Sequence, residues 1–285
     1  MTAYGPSPRA PRNRNVYGSR RRLVAWIVAG AVGLTSAGMV ASARPALAAE
    51  VSATGSTSAT ASTPATASTP AAGSVAVRKQ PVYTVRQILP GAPANAVALT
   101  LDDGPDPQWT PRVLTLLRKY DVRATFCLVG RQAHAHPELV RQIVAAGHAI
   151  CNHSMTHPQP FAHQSATAIE KEIGDAQAAI KDAAGTAPRL FRSPGGDWSA
   201  SVFTAAARHG LTPIGWDVDP KDWSRPGVQK IIDNLLAAKP GDILLCHDGD
   251  GDRAQDAGTD RSQTVKALET ALPQLKSKGY TFVTL

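Results

Sequence analysis

AVALTLDDGPDPQWTPRVLTLLRKYDVRATFCLV, residues 96–129, decides the architecture. An apolar run, Val97–Leu101, meets a polar turn, Asp102–Asp103–Gly104–Pro105. A helical pattern over 110–119 follows, then a second apolar run, Ala124–Val129. Strand, helix and strand in that order make one βαβ unit, whose two strands lie parallel. The alternation continues to the end of the chain. Further strands are predicted at His148–Asn152, Arg189–Arg192, Leu211–Asp217, Asp242–Cys246 and Tyr280–Leu285. Helical patterns fall near 137–146, 163–183, 199–208, 227–238 and 261–277, and Gly147, Gly210 and Gly279 stand where a helix-ending glycine belongs. Seven parallel strands with six helices suit a partly open (β/α) barrel of the α/β class better than a flat sheet.

Polar residues collect at the strand ends. Asp102 and Asp103 follow the first predicted strand, His153 and His157 the third, Arg192 ends the fourth, and His247 ends the sixth. In a parallel barrel these ends share one face, the face on which active sites are built. His153 and His157 are four apart, which sets both imidazoles on one side of a helical turn. Asp103 adds the carboxylate of a two-histidine, one-carboxylate set that leaves positions open for water and substrate. Zinc is the default cation for this set, with cobalt, nickel and iron open by ligand type. Asp102, pointing differently from its neighbour, stays free to act as a base, although Asp–Asp–Gly–Pro alone reads equally as a solvated turn. His247 is a candidate general acid, charged and held by Asp222; Arg192 would fix Asp102. A backbone N–H after the proline in Arg192–Ser193–Pro194–Gly195–Gly196 could face a substrate oxygen. Trp223 and Leu245 would form an apolar slot, and Trp198 and Trp109 would serve either sugar stacking or the core.

The N-terminus has a different character. Residues 1–48 hold seven arginines and no acid; taking these from the 30 basic residues leaves 23 against 22 acids, so the formal charge of +8 is local and gives no case for nucleic-acid binding. Arg20–Arg21–Arg22, the apolar run from Leu23 and the ending Ala46–Leu47–Ala48 describe a signal peptide over 1–48, of the Sec or twin-arginine type, with a retained anchor left open. Residues 49–93 are assigned to a linker, rich in Ala, Ser, Thr and Pro up to residue 74. The expected product is secreted or cell-envelope, touches membrane only in transit, and is a monomer. Cys127, Cys151 and Cys246 read best as buried apolar residues, with a Cys127–Cys151 disulfide open if their strands adjoin.

Five segments in order carry a resemblance: Thr100–Gly104, His153–His157, Arg192–Gly195, Asp219–Trp223 and Leu245–His247. They resemble the motifs of the NodB-type polysaccharide deacetylases, carbohydrate esterase family four, over residues 94–285. The resemblance implies a distorted (β/α) barrel and hydrolytic removal of acetyl groups from N-acetylglucosamine polymers, peptidoglycan or chitin-type. It implies Asp102 as base, Asp103, His153 and His157 as metal ligands, and His247 as acid. Arg192 would support the base, Asp222 tune the acid, and Leu245 line the acetyl pocket. Leu101 stands where Phe is common and Gly195 where Tyr is often found, which leaves the sugar contacts open. Acetylxylan O-deacetylation, a non-catalytic carbohydrate-binding relative and a non-haem iron oxygenase are the competing readings.

Overall fold

A computed structural model describes residues 77–251 and 259–285. The signal peptide expected over 1–48, and most of the predicted linker, lie outside them. The central strand β1 (Ala96–Asp102) is buried along its whole length, as a near-continuous apolar run requires when both faces are covered. It is flanked in parallel by β2 (Ala124–Leu128) and β6 (Ile243–His247). Beyond β2 come β3 (Ala149–Asn152), β4 (Leu190–Phe191) and β5 (Thr212–Pro213), in the order β5-β4-β3-β2-β1-β6. The strand β7 (Thr281–Phe282) pairs with Ala96 and Val97.

The pleat divides β1 between two layers. Val97, Leu99 and Leu101 join the core beneath the outer helices, while Ala96 and Ala98 pack in a separate cluster with Ile243. Period-two alternation puts Thr100 and Asp102 on that second, inner face. Small residues leave room there for a polar interior. The register sets Asp102 opposite both Cys127 and His247, so the ends of three strands finish level.

Outside the sheet lie α2 (Thr110–Lys119), α4 (Pro137–Ala145), α5 (Ala166–Ala184), α6 (Ala200–Arg208), α7 (Val228–Leu236) and α8 (Ser262–Ser277). These are the six helices expected from the sequence. Two short ones escape its pattern: α1 (Val85–Ile88) and α3 (Gly130–Ala135), too brief to show a period. Helix α5 starts at Ser165, whose Oγ accepts from Ala168 N–H at 3.2 Å, and stops at Gly185, φ 73°.

The fifth strand is shorter than Leu211–Asp217. After the two residues of β5 the chain crosses to the other edge: Ile214 N–H donates to Phe191 O, then Asp217 N–H to Ile243 O and Leu245 N–H to Val218 O, each at 2.9 Å. An irregular segment thus spans the gap between the edges, giving a curled, partly open barrel. Residues 81–93, expected to be linker, instead belong to this body. Val82 and Val85 are fully buried, and Val82 and Thr84 bridge to Ile214 and Asp242 on the two sides of the gap.

Candidate active site

Asp102 and Arg192 form the floor. Arg192, immediately after β4, is completely buried; its Nη1 donates to Asp102 Oδ1 at 2.6 Å and to Thr100 Oγ1 at 2.8 Å, and its Nη2 to Gly215 O at 2.9 Å. Burial opposes the charged guanidinium, but Asp102 outweighs it and the Arg192 pKa is raised. The fork therefore fixes one Asp102 oxygen, while Oδ2 faces His153 Nε2 at 3.6 Å.

Asp103 and the two histidines converge beside it. Asp103 Oδ1 lies 3.4 Å from His153 Nε2 and 3.3 Å from His157 Nε2, and one ligand atom from each residue falls within 4.8 Å of the others. That oxygen is buried without a hydrogen-bond partner. A buried carboxylate oxygen facing two imidazole nitrogens is what a cation site requires. The support behind His153 agrees: its Nδ1 sits 2.8 Å from the Arg192 carbonyl, which can only accept, so the proton stays on Nδ1 and the Nε2 lone pair turns to Asp103. Burial would raise the Asp103 carboxyl, but His157, His153 and His247 hold it well below the usual carboxylate range. Burial would likewise lower His153, but Asp102 and Asp103 raise it, so proton and cation compete for one nitrogen.

The histidine spacing works through a loop, not the helical turn expected. Ser154 and His157 take left-handed backbone angles, φ 66° and 57°, and Asp103 sits at 77°. Three non-glycine residues in that region, all at one site, mark a backbone held by its surroundings.

His247 faces the group from β6. Its Nδ1 is 2.8 Å from Asp222 Oδ1, and its backbone N–H donates to Asp222 Oδ2 at 2.9 Å, which also accepts from Thr264 Oγ1 at 2.8 Å. Burial alone would lower the His247 pKa; the Asp222 carboxylate reverses this and pushes it up to about 9. For Asp222, burial is outweighed by His247 and the carboxyl is held low.

A cavity of about 470 Å³ opens over these groups, lined by Asp102, Asp103, His153, His157 and His247 together with Gly195, Leu245 and Trp223. Leu245 is buried, whereas Trp223 is 53 % exposed, so the apolar slot has one fixed wall and one at the mouth. Gly195, φ 63°, lies beside Gln159. Arg192 and Asp222 stand behind the lining groups. Trp198 and Trp109 do not line the cavity. Trp198 stacks on Phe203 at 5.2 Å between ring centres, and Trp109 is buried with Nε1 donating to Thr259 O. Both belong to the packing. The three cysteines are free and buried, Cys127 and Cys151 in register on adjacent strands. Burial first pushes the Cys127 and Cys246 thiols up, which suits inert core residues.

Residues 90–214 match the family profile described as Polysaccharide deacetylase. A chitooligosaccharide deacetylase of Sinorhizobium fredii (strain NBRC 101917 / NGR234) is 43 % identical over 194 residues, covering 67 % of this chain and 90 % of the relative. The chain belongs to the polysaccharide deacetylase family. A peptidoglycan-N-acetylglucosamine deacetylase of Bacillus cereus is also 43 % identical, over 66 % of this deacetylase and 85 % of its own length. Among solved structures, a carbohydrate esterase family 4 pseudoenzyme from Bacillus anthracis superposes with a TM-score of 0.60 at 30 % identity, covering 67 % of this chain and 64 % of that one.

The deacetylase site also holds groups that no sequence motif singles out. Thr100 accepts from Arg192 and donates to Leu244 O at 2.8 Å. Gln159, Trp216 and Arg261 line the cavity. Asp248 is fully buried directly after His247, and burial, with Asp106, Asp103 and Asp102 nearby, pushes its pKa up to about 7. The sequence does carry a signal for Asp248, an acid at the end of an apolar strand; for Gln159 and Arg261, in loop and helix-start positions, no local pattern exists.

Proposed function

We propose that this deacetylase is exported and removes acetyl groups from the N-acetylglucosamine units of a cell-wall polysaccharide, with zinc as its cation. The observation that carries this reading is the convergence of Asp102, Asp103, His153, His157 and His247 around one cavity. The names of the relatives favour an N-acetylated glycan over acetylxylan, and the arginine-rich N-terminal segment with the apolar run after it favours export to the envelope or beyond.

A divalent cation held by Asp103, His153 and His157 would polarise the acetyl carbonyl and acidify a water. Asp102, with Oδ1 committed to Arg192, keeps Oδ2 for the proton of the attacking water. The Gly195 N–H is the donor for the oxygen that gains charge as the carbonyl becomes tetrahedral. His247, its Nδ1 held by Asp222, offers Nε2 to protonate the departing amine. Leu245 and Trp223 receive the acetyl methyl. One amide bond is hydrolysed, and acetate and a free amine leave.

The chain carries every group that the reaction needs, which argues against a non-catalytic role despite its likeness to a pseudoenzyme. The test is acetate release from N-acetylglucosamine oligomers, peptidoglycan glycans and acetylxylan. Chelation should abolish release and zinc restore it. Asp102→Asn should lower kcat by about 10²–10⁴-fold with metal still bound. Binding of oligomers without turnover under any divalent metal would defeat the proposal; faster release from acetylxylan would reassign the substrate.

A further inference from the structure

Asp248 follows the acid His247 but is absent from the cavity wall, and its carboxyl group is buried against the turn after β1. We propose that Asp248, held by Thr110, is a positioning residue that fixes the Asp103–Gly104 turn and so presents the Asp103 carboxylate to the metal. This rests on the reading of Asp103 as a ligand.

Three hydrogen bonds and two close approaches surround that turn. Thr110 Oγ1, at the start of α2, donates to Asp248 Oδ2 at 2.5 Å and accepts from Asp106 N–H at 2.8 Å, closing the loop between β1 and α2. The Asp248 backbone N–H donates to Asp102 O at 3.1 Å, which aligns the end of β6 with the end of β1. A Cβ on Gly104 would come within 2.5 Å of Asp248 Oδ1 and 2.7 Å of Oδ2, so the carboxyl group occupies the space beside that α-carbon. A Cβ on Gly249 would collide with the Asp103 carbonyl oxygen. The Asp103 backbone, in the left-handed region, is thus flanked on one side by the residues that follow β6 and bound through Thr110 on the other.

The buried Oδ1 of Asp248 has no hydrogen-bond partner. An unpaired buried oxygen works against stability. Its position against Gly104 is accounted for by shape: the carboxyl group is a wedge, anchored through its other oxygen. Asn has the same shape and can still accept from Thr110. Ala leaves a hole beside the turn, and Asp103 is then free to swing away from His153 and His157.

The test is metal affinity of the full chain, by competition with a chromophoric chelator, alongside thermal melting and the visible spectrum of the cobalt-loaded protein. Residues that orient a metal ligand typically change metal affinity by about 10–100-fold when replaced. Asp248→Ala should bind zinc at least about tenfold more weakly and change the cobalt spectrum, and Asp248→Asn should stay within about threefold of wild type. A folded Asp248→Ala chain with wild-type affinity and an unchanged cobalt spectrum would overturn the proposal, even if its melting temperature fell. If Asp248→Ala does not fold, Thr110→Val decides: it keeps the carboxyl group but frees it, so affinity should fall severalfold and Thr110→Ser should restore it. Unchanged affinity in Thr110→Val overturns the proposal equally. Failure of wild type itself to bind zinc or cobalt would instead refute the ligand set and remove the basis for the wedge with it.

Discussion

Asp222 accepts three hydrogen bonds, two from His247 and one from Thr264, and touches nothing in the cavity directly. Its effect passes entirely through the His247 imidazole. With its pKa raised to about 9 from 6.5, His247 carries a proton throughout the neutral range and loses it as pH climbs past 9. The alkaline limb of kcat/KM should therefore lie near 9. Asp222→Asn removes the largest raising influence, so the limb should move down toward 6.5 and the loss should be greater at pH 8 than at pH 6. A variant with the same loss at both values would show that Asp222 acts only as a brace. The sign for folding is the same on the alkaline side: the His247 contribution is fully present below about 6.5 and is lost as pH rises through 9. The Asp222 carboxyl, held low, contributes above its ordinary range and loses that contribution as it protonates in acid. Residue types at strand ends make Asp102, Asp103, His153, His157, Arg192 and His247 legible in the sequence. The presence of Arg261 and the role of Asp248, itself visible only as an acid ending an apolar strand, are not, because each works through contacts with residues more than ten positions distant or with backbone that no motif encodes.

At the scale of elements, legibility follows length and period. The strands β1 and β2 and the helix α2 match their sequence patterns within a residue or two, since each repeats its apolar signal several times. The strand β5 is shorter than its pattern: Leu211–Asp217 is apolar enough for a strand, but Pro213 has no N–H for the ladder and the chain then changes partners. The histidine pair misleads differently, because spacing of four suits a helix turn and also suits a loop with two left-handed residues. Helix ends allow a direct test. Gly185 closes α5 at φ 73°, and a Cβ there would meet nothing within 4 Å. Any cost of Gly185→Ala is thus conformational and not steric, about 1–2 kcal/mol. Urea denaturation should show that loss with acetate release unchanged; a neutral result would mean that the helix end relaxes out of the left-handed region.

At the scale of the molecule, the question is what holds the two edges of the barrel together. The strands β5 and β6 do not pair with each other; the segment 214–218 and the strap from Pro81 to Pro93 cross the gap. Composition hides the strap, because it follows an Ala/Ser/Thr/Pro-rich stretch and carries only two apolar residues that become fully buried, Val82 and Val85. Complete burial of each such side chain is worth about 1.5–3 kcal/mol, against a total domain stability of about 5–15 kcal/mol. The strap also supplies backbone partners at both edges: Val82 N–H donates to Pro213 O and Val85 N–H to Gly241 O, each at 2.8 Å. Removing it would expose Ile214 and Ile243 and leave those carbonyls to water. Gly215 O, which accepts from Arg192 Nη2, lies on the same crossing segment, so loosening the gap also loosens the support of Asp102. A chain starting at Asn95 should therefore melt well below one starting at Val77, and whatever fraction folds should turn over more slowly. Equal melting temperatures for the two chains would mean that segment 214–218 alone closes the barrel.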